Sequence, residues 1–336
     1  MKNTKHSPRK LLFALLLSAG FCPQAEAQMD PHFSQYYVYP TAINPALTGA
    51  IDGDYRVSAI WRSQYGNALT TRGLSGDFVT NKNANFGVSL LNQASNDKSY
   101  NFTNAYASMS YTGIRMGENG DKYIALALQC GILNRRFDIS KLQFGSQWSA
   151  GLGYVEGNNS GEVFSTSSIS AFDAGVGIAY MDATPEKKIN PYVGVSAFHI
   201  TSPKSTFLSA GKAGALPVRY SVQAGARISM SDQLTVVPNI LYMKQGQAEE
   251  KMAGLYAQLY VSSNVDVMVG GNWRMNDAIA PFAGFYYKGF TVGVSYDVNA
   301  SSMSAANRNN SIELSLSFTG MLKRDLKTKS FNCPRF

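Results

Sequence analysis

The chain has 336 residues, of which 15% are charged and 12% aromatic, with 19 Tyr and 18 Phe, and its formal net charge is +8. A soluble domain carries about 25% charged residues, so this composition argues against a solvent-bathed surface and suits one facing lipid, ringed by amphipathic aromatics. Beyond the first 27 residues the chain holds 26 basic and 21 acidic side chains, an excess too mild and too dispersed for nucleic acid.

Residues 1–27 read as a cleavable secretory leader. Lys2, Lys5, Arg9 and Lys10 precede an apolar run from Leu11 to Ala19, and Ala25, Glu26 and Ala27 stand ahead of Gln28. A retained membrane helix needs about 20 apolar residues, roughly twice this run. Cleavage is therefore expected between Ala27 and Gln28. Lipid attachment at Cys22 is disfavoured by the bulky Phe21 before it.

Residues 28–54 lead into the first strand. The stretch holds Asp30, Pro31, His32, Phe33, Ser34, Gln35, Tyr36 and Tyr37, then Tyr39, Pro40, Asn44, Pro45, Ala46 and Gly49. Its three prolines exclude a regular element, and Asn44 before Pro45 favours a turn. So many aromatics outside a strand call for a surface to dock on. Either the segment plugs a barrel formed by the strands that follow, or it meets a periplasmic partner.

From residue 55 the dominant pattern is alternation with period 2. Val218, Tyr220, Val222, Ala224, Ala226 and Ile228 share one face against Arg219, Ser221, Gln223, Gly225, Arg227 and Ser229. Phe290, Val292, Val294, Tyr296 and Val298 alternate with Thr291, Gly293, Ser295 and Asp297, and Ile312, Leu314, Leu316 and Phe318 with Glu313, Ser315 and Ser317. Such segments fall near 55–64, 72–80, 84–92, 100–113, 122–137, 171–181, 189–199 and 216–229. Six more fall near 234–243, 252–260, 265–273, 280–287, 289–298 and 311–319. The expected fold is an all-β transmembrane antiparallel barrel over 55–319, of about 14 strands.

If the first strand runs outward, the short links Asn81 to Asn83, Met230 to Gln233 and Lys288 fall on the periplasmic side. The long links Asp138 to Ser170, Ile200 to Ala215 and Asn299 to Asn310 fall outside, as outer-membrane barrels require. An even strand count then places both termini in the periplasm. A secreted β-sandwich would alternate too, but its solvent face should be rich in Lys and Glu, and the polar rows here are mostly Ser, Gly, Asn, Gln and Tyr.

Alternation places Arg56, Arg62, Arg219 and Arg227 in the lumen with Asp77, Asp173, Asp266, Asp297 and Glu313. Neither sign dominates as a charge-selective constriction would need, which points to pairing across the lumen and a filled or narrow interior. Chemistry is sparse. His32 and His199 lack spaced partners for a metal, Gly73-Leu74-Ser75-Gly76 misses the spacing of a nucleophile elbow, and neither catalytic residues nor a cofactor site is expected. Cys130 and Cys333 form no framework. Residues 320–336 continue past the last strand as a basic tail with Lys323, Arg324, Lys327, Lys329, Arg335 and the terminal Phe336.

The motif Asp30-Pro31-x-Phe33-Ser34-Gln35-Tyr36, followed by Pro40 and by Asn44-Pro45-Ala46-x-x-Gly49, resembles the opening of the PorP/SprF family. Tyr55-Arg56 and Arg62-Ser63-Gln64-Tyr65 fit it too, with Tyr65 standing where tryptophan is expected. The resemblance implies an outer-membrane protein of the type IX secretion system of Gram-negative Bacteroidetes. Such a protein assists export or surface attachment of secreted cargo such as adhesins and, in some members, gliding motility. Implied partners are outer-membrane lipid, periplasmic components of the machinery and the cargo. On this reading the basic tail and the aromatic segment from Asp30 to Gly49 are expected to touch periplasmic partners. The competing expectation is a passive porin for small solutes.

Overall fold

The structure, a computed structural model, describes residues 29–80, 82–204, 207, 214–300 and 310–322. Fourteen strands close into one antiparallel barrel. They are β1 (Tyr55–Gln64), β2 (Leu69–Phe78), β3 (Ala84–Ser95), β4 (Tyr100–Met116), β5 (Lys122–Phe137), β6 (Ser168–Asp182) and β7 (Ile189–Phe198). The second half comprises β8 (Arg219–Ser231), β9 (Leu234–Gln245), β10 (Ala248–Ser262), β11 (Val265–Arg274), β12 (Ala278–Tyr287), β13 (Phe290–Asn299) and β14 (Ser311–Gly320). Each pairs with its successor, and β14 closes on β1 with Tyr55 opposite Gly320 and Ser63 opposite Ile312. Closure pairs every strand edge, as hydrocarbon demands of a spanning backbone.

The alternation sorts as expected. On β14, Ile312, Leu314 and Leu316 are exposed while Ser311, Glu313, Ser315 and Ser317 are buried, and the same split holds between Val292 or Val294 and Ser295 or Asp297 on β13. Leu128 and Ile132 also face out, with Cys130 exposed between them. Several strands run further than their alternation. β10 begins at Ala248 rather than 252, because Glu249, Glu250 and Lys251 carry charge at consecutive positions and mask any apolar period. The ladder nevertheless continues, Lys244 opposite Glu249 and Gln245 opposite Ala248, around Gly246 at φ +58°. β2 begins at Leu69 rather than 72 for a related reason, since Leu69 and Thr70 face Ser95 and Ala94 in a ladder with little polarity contrast.

The long connections all lie at one end of the barrel, which also carries the short links 65–68, 96–99, 246–247 and 275–277. One end carries the turns after β2, β4, β6, β8, β10 and β12, the last made by Lys288 and Gly289 at φ +47° and +91°, the left-handed geometry a two-residue hairpin needs. The other end carries the links 138–167 and 199–218. The first of these holds two single 3-10 turns and a small hairpin pairing Trp148 with Tyr154, and Leu152 at its tip is 79% exposed. Ala27, Cys333 and the tail residues Lys323, Arg324, Lys327, Lys329, Arg335 and Phe336 lie outside the described residues, as does Gln28.

Among the described residues the carboxy end leaves β14 at the short-turn end, where the Leu322 amide donates to Asp54 Oδ2 at 2.7 Å. The amino end does not share that side. Asp30 meets His199, which follows β7, and Gln245 at the end of β9, both at the long-loop end. Even strand number fixes where β1 begins and β14 ends, but not the path of a segment ahead of β1, and the described amino end lies at the opposite end of the barrel from Leu322.

Candidate functional site: a strap filling the lumen

Residues 29–50 run through the barrel interior. With three prolines the segment forms only single 3-10 turns, Tyr36–Val38, Pro40–Ala42 and Pro45–Leu47. Pro40 and Pro45 open the second and third, where a missing N–H costs nothing. Asn44 caps the third through its side chain, which accepts from the Ala46 amide at 2.8 Å. Nearly every residue from Phe33 to Leu47 is buried.

The strap brings its own core. Phe33, Tyr36, Tyr37, Val38, Tyr39 and Ile43 pack against Ile60, Leu91, Phe102, Leu133, Met243 and Phe282 of the wall. Burying a large apolar side chain contributes about 1.5–3 kcal/mol, so this contact is a principal reason for the strap to stay. It also explains where alternation blurs: Leu90 faces lipid at 45% exposure and its neighbour Leu91 faces the strap at 3%. The lumen row is therefore not uniformly polar.

At the long-loop end the polar groups converge on two clusters. In the first, Glu313 accepts the Ser34 and Gln35 amides at 2.6 and 2.9 Å. Arg62, its cross-strand neighbour, bonds Glu313 at 3.0 Å and Asp297 at 2.8 Å. Arg274 reaches Asp297 at 2.8 Å and Ser34 Oγ at 3.0 Å, and Asn272 donates to the Ser34 carbonyl at 2.8 Å. In the second cluster, His199 lies between two carboxylates, bonded through Nε2 to Asp30 and through Nδ1 to Asp173 at 2.6 Å. Tyr106 donates to Asp173 at 2.5 Å, and Arg219 reaches Asp30 at 3.4 Å and the Ala42 carbonyl at 2.7 Å.

Burial alone would lower the His199 pKa, but Asp30 and Asp173 outweigh it and push the imidazole up to about 9. Burial would raise Asp30, and His199, Arg219 and Arg135 together hold it below the usual carboxylate range. Both groups are thus ionised at neutral pH.

Further in, the fit is steric. Asn44 Nδ2 donates to the carbonyls of Ile178 and Val195, a cross-strand pair, at 3.0 and 3.3 Å. It can do so because Gly177 and Gly194 flank that pair: a Cβ at Gly177 would strike Asn44 Oδ1, and one at Gly194 would lie 2.7 Å from Asn44 Nδ2. Thr48 Oγ1 bonds Ser108 Oγ at 2.8 Å, beside Gly87, and Ser196 Oγ donates to the Ile43 carbonyl at 2.6 Å. The Gly49 amide, at φ +74°, donates to Asp77 at 3.0 Å. Tyr36 donates to Asn239 at 2.8 Å on the opposite wall.

The motif residues Asp30, Phe33, Ser34, Gln35, Tyr36, Pro40, Asn44, Pro45, Ala46 and Gly49 are thus gathered inside the barrel, with Pro31 beside them. The segment's aromatics Phe33, Tyr36, Tyr37 and Tyr39 are packed in the lumen against the barrel wall. The lumen charges pair differently from expectation. Arg56 binds Asp77 of the next strand at 2.8 and 3.1 Å, Arg62 binds its neighbours, and Arg219 binds the strap. Arg227 contacts Tyr260 and Asp266 accepts from Gln258 at 2.8 Å. Pairing runs along the wall and onto the strap because the strap occupies the centre.

Sequence reading missed Arg274, Arg135 and the pair His32 and Glu250 at 2.6 Å; Arg274 sits one residue beyond its expected strand end. The lumen glycines were the available signal, since glycine inside a strand marks close approach by another backbone. Three spaces between strap and wall measure about 30 to 70 Å3 each, room for a few waters. Among the described residues no cluster of His, Cys, Asp and Glu stands ready for a metal.

The curated proteins include no sequence match. Among solved structures, the Ralstonia pickettii toluene transporter TbuX is similar at 10% identity and a TM-score of 0.48, over 83% of this chain and 92% of that one. The CymD monoaromatic hydrocarbon channel is similar at 13% and 0.49, over 88% and 94%, and the Pseudomonas putida toluene transporter TodX at 10% and 0.48, over 87% and 94%. At these values the likeness does not extend past the general barrel shape. The family model for the type IX secretion system membrane protein PorP/SprF matches residues 25–318, nearly the whole barrel with the strap at its head, and the chain belongs to that family as a β-barrel of the outer membrane.

Proposed function

We propose that this protein is a sealed, non-enzymatic barrel of the type IX secretion machinery, which assists export or surface attachment of secreted proteins such as adhesins. The observation that carries the reading is the filled lumen. A conduit for small solutes needs a water-filled path, and here apolar side chains from the strap and the wall occupy that space. The family supports association with secretion machinery, and a barrel that conducts nothing serves such a machine as a membrane-embedded platform. The described chain leaves the short-turn end at Leu322, and on this reading the basic residues Lys323, Arg324, Lys327, Lys329 and Arg335 serve as a contact for the machine's periplasmic components.

Purification of the tagged full-length protein from its native envelope tests the proposal. Secretion components are expected to remain bound, and loss of the protein is expected to abolish surface display of its cargo. Deleting Lys323 to Phe336 should weaken that co-purification while leaving the barrel folded. The porin alternative makes the reverse forecast: liposomes holding the pure protein swell in sugar solutions, and no machinery accompanies it.

A further inference from the structure

We infer that the strap threads the barrel from end to end, so that its amino end at Met29 and Asp30 opens at the long-loop mouth and faces the cell exterior, on the opposite side of the membrane from Leu322. Two sets of contacts fix the direction independently. At one end, Asp30 is bonded to His199, Arg219 and Gln245, and His32 to Glu250 and Arg62, and each of these wall residues stands at the long-loop end of its strand or just past it. At the other end, the Gly49 amide bonds Asp77, one residue before β2 finishes at its short-turn side, and Gly49 packs on Asn85 where β3 begins. Between them Asn44 sits midway on β6 and β7.

The described chain begins at Met29, the residue before Asp30. Long loops of outer-membrane barrels face outward, so this end meets the exterior. The arrangement divides possible partners by side. A protein that grips the amino end acts from the cell surface and faces the His199 clasp, whereas one that grips the tail acts from the periplasm. It also sets how the lumen could be cleared: the strap is tethered through residues 51–54 to β1 at the short-turn end, so its free end is the outer one.

Cysteine labelling on whole cells tests the inference in the full-length protein carrying Cys130→Ser and Cys333→Ser. Three variants are treated with a membrane-impermeant maleimide: Met29→Cys, Leu152→Cys in the long loop, and Lys188→Cys in a short turn. Met29→Cys is expected to label on intact cells together with Leu152→Cys, while Lys188→Cys labels only after the outer membrane is opened. An epitope placed between Gln28 and Met29 and probed by antibody on intact cells gives a second reading that does not depend on the depth of Met29. Label at Met29→Cys that appears only under the conditions that label Lys188→Cys, or an epitope hidden until permeabilisation, overturns the inference.

Discussion

The outer and inner ends of the strap occupy one lumen but are held by different physics. From Met29 to Gln35 the strap meets ionisable side chains: Asp30 on His199 and Arg219, and the Ser34 and Gln35 amides on Glu313. From Pro40 to Ile51 it contributes no ionisable side chain, and it is seated by hydrogen bonds to wall carbonyls and by the missing Cβ atoms of Gly177 and Gly194. The outer end should therefore answer to charge removal and pH, and the inner end to added volume.

The largest effect is expected at Glu313. Glu313→Ala leaves Arg62 with one carboxylate partner instead of two and strands two strap amides, and removing one member of a buried pair costs about 3–5 kcal/mol. Thermal unfolding in detergent measures it, and an unchanged midpoint would show that the outer clasp is not a stabilising element. At the inner end Gly177→Ala forces Asn44 aside, at about 1–3 kcal/mol for an overpacked core. Pairing it with Asn44→Ala should cost less than the sum of the two single changes, because the clashing atom is gone. Strict additivity would mean that the two residues do not touch.

The pH response should be strongest at the outer end, where His199 and Asp30 meet. His199 has a folded pKa of about 9, above its ordinary value of 6.5, so its contribution is fully present below about 6.5 and is lost as pH rises through 9. Asp30 is depressed, so its contribution is present above its ordinary value and is lost as strong acid protonates it. The groups facing this imidazole are Asp30, Asp173 and Tyr106, with Arg219 and Arg135 on Asp30. His199→Gln should remove the alkaline fall in stability; an unaltered alkaline limb would assign it elsewhere. The smallest effect is expected for Thr48→Val, which removes one neutral hydrogen bond worth about 0.5–1.5 kcal/mol and should do so equally at every pH.

What the sequence revealed follows the same divide between repeating and unrepeated contacts. The lipid face was legible because Ile312, Leu314 and Leu316 repeat every second residue, and repetition is what a two-faced strand writes into a sequence. The lumen charges were legible as lumen-facing but not as pairs, since Arg62 next to Glu313 depends on the register between β1 and β14, which joins residues distant along the chain. The strap was legible only as an aromatic, proline-broken segment in want of a surface. Its direction left no periodic trace, for each contact, such as Asp30 on His199 or Asn44 against Gly177, is made once. Gly177 and Gly194 marked the approach of something, and only the fold shows that it is Asn44.

The central claim is that the strap closes the pore. Single-channel recording of the purified full-length protein in planar bilayers tests it most directly, with a variant lacking residues 30–50 as the comparison. The account predicts electrical silence from the intact protein and steady ohmic steps from the deletion, whereas steady conductance from the intact protein would contradict it.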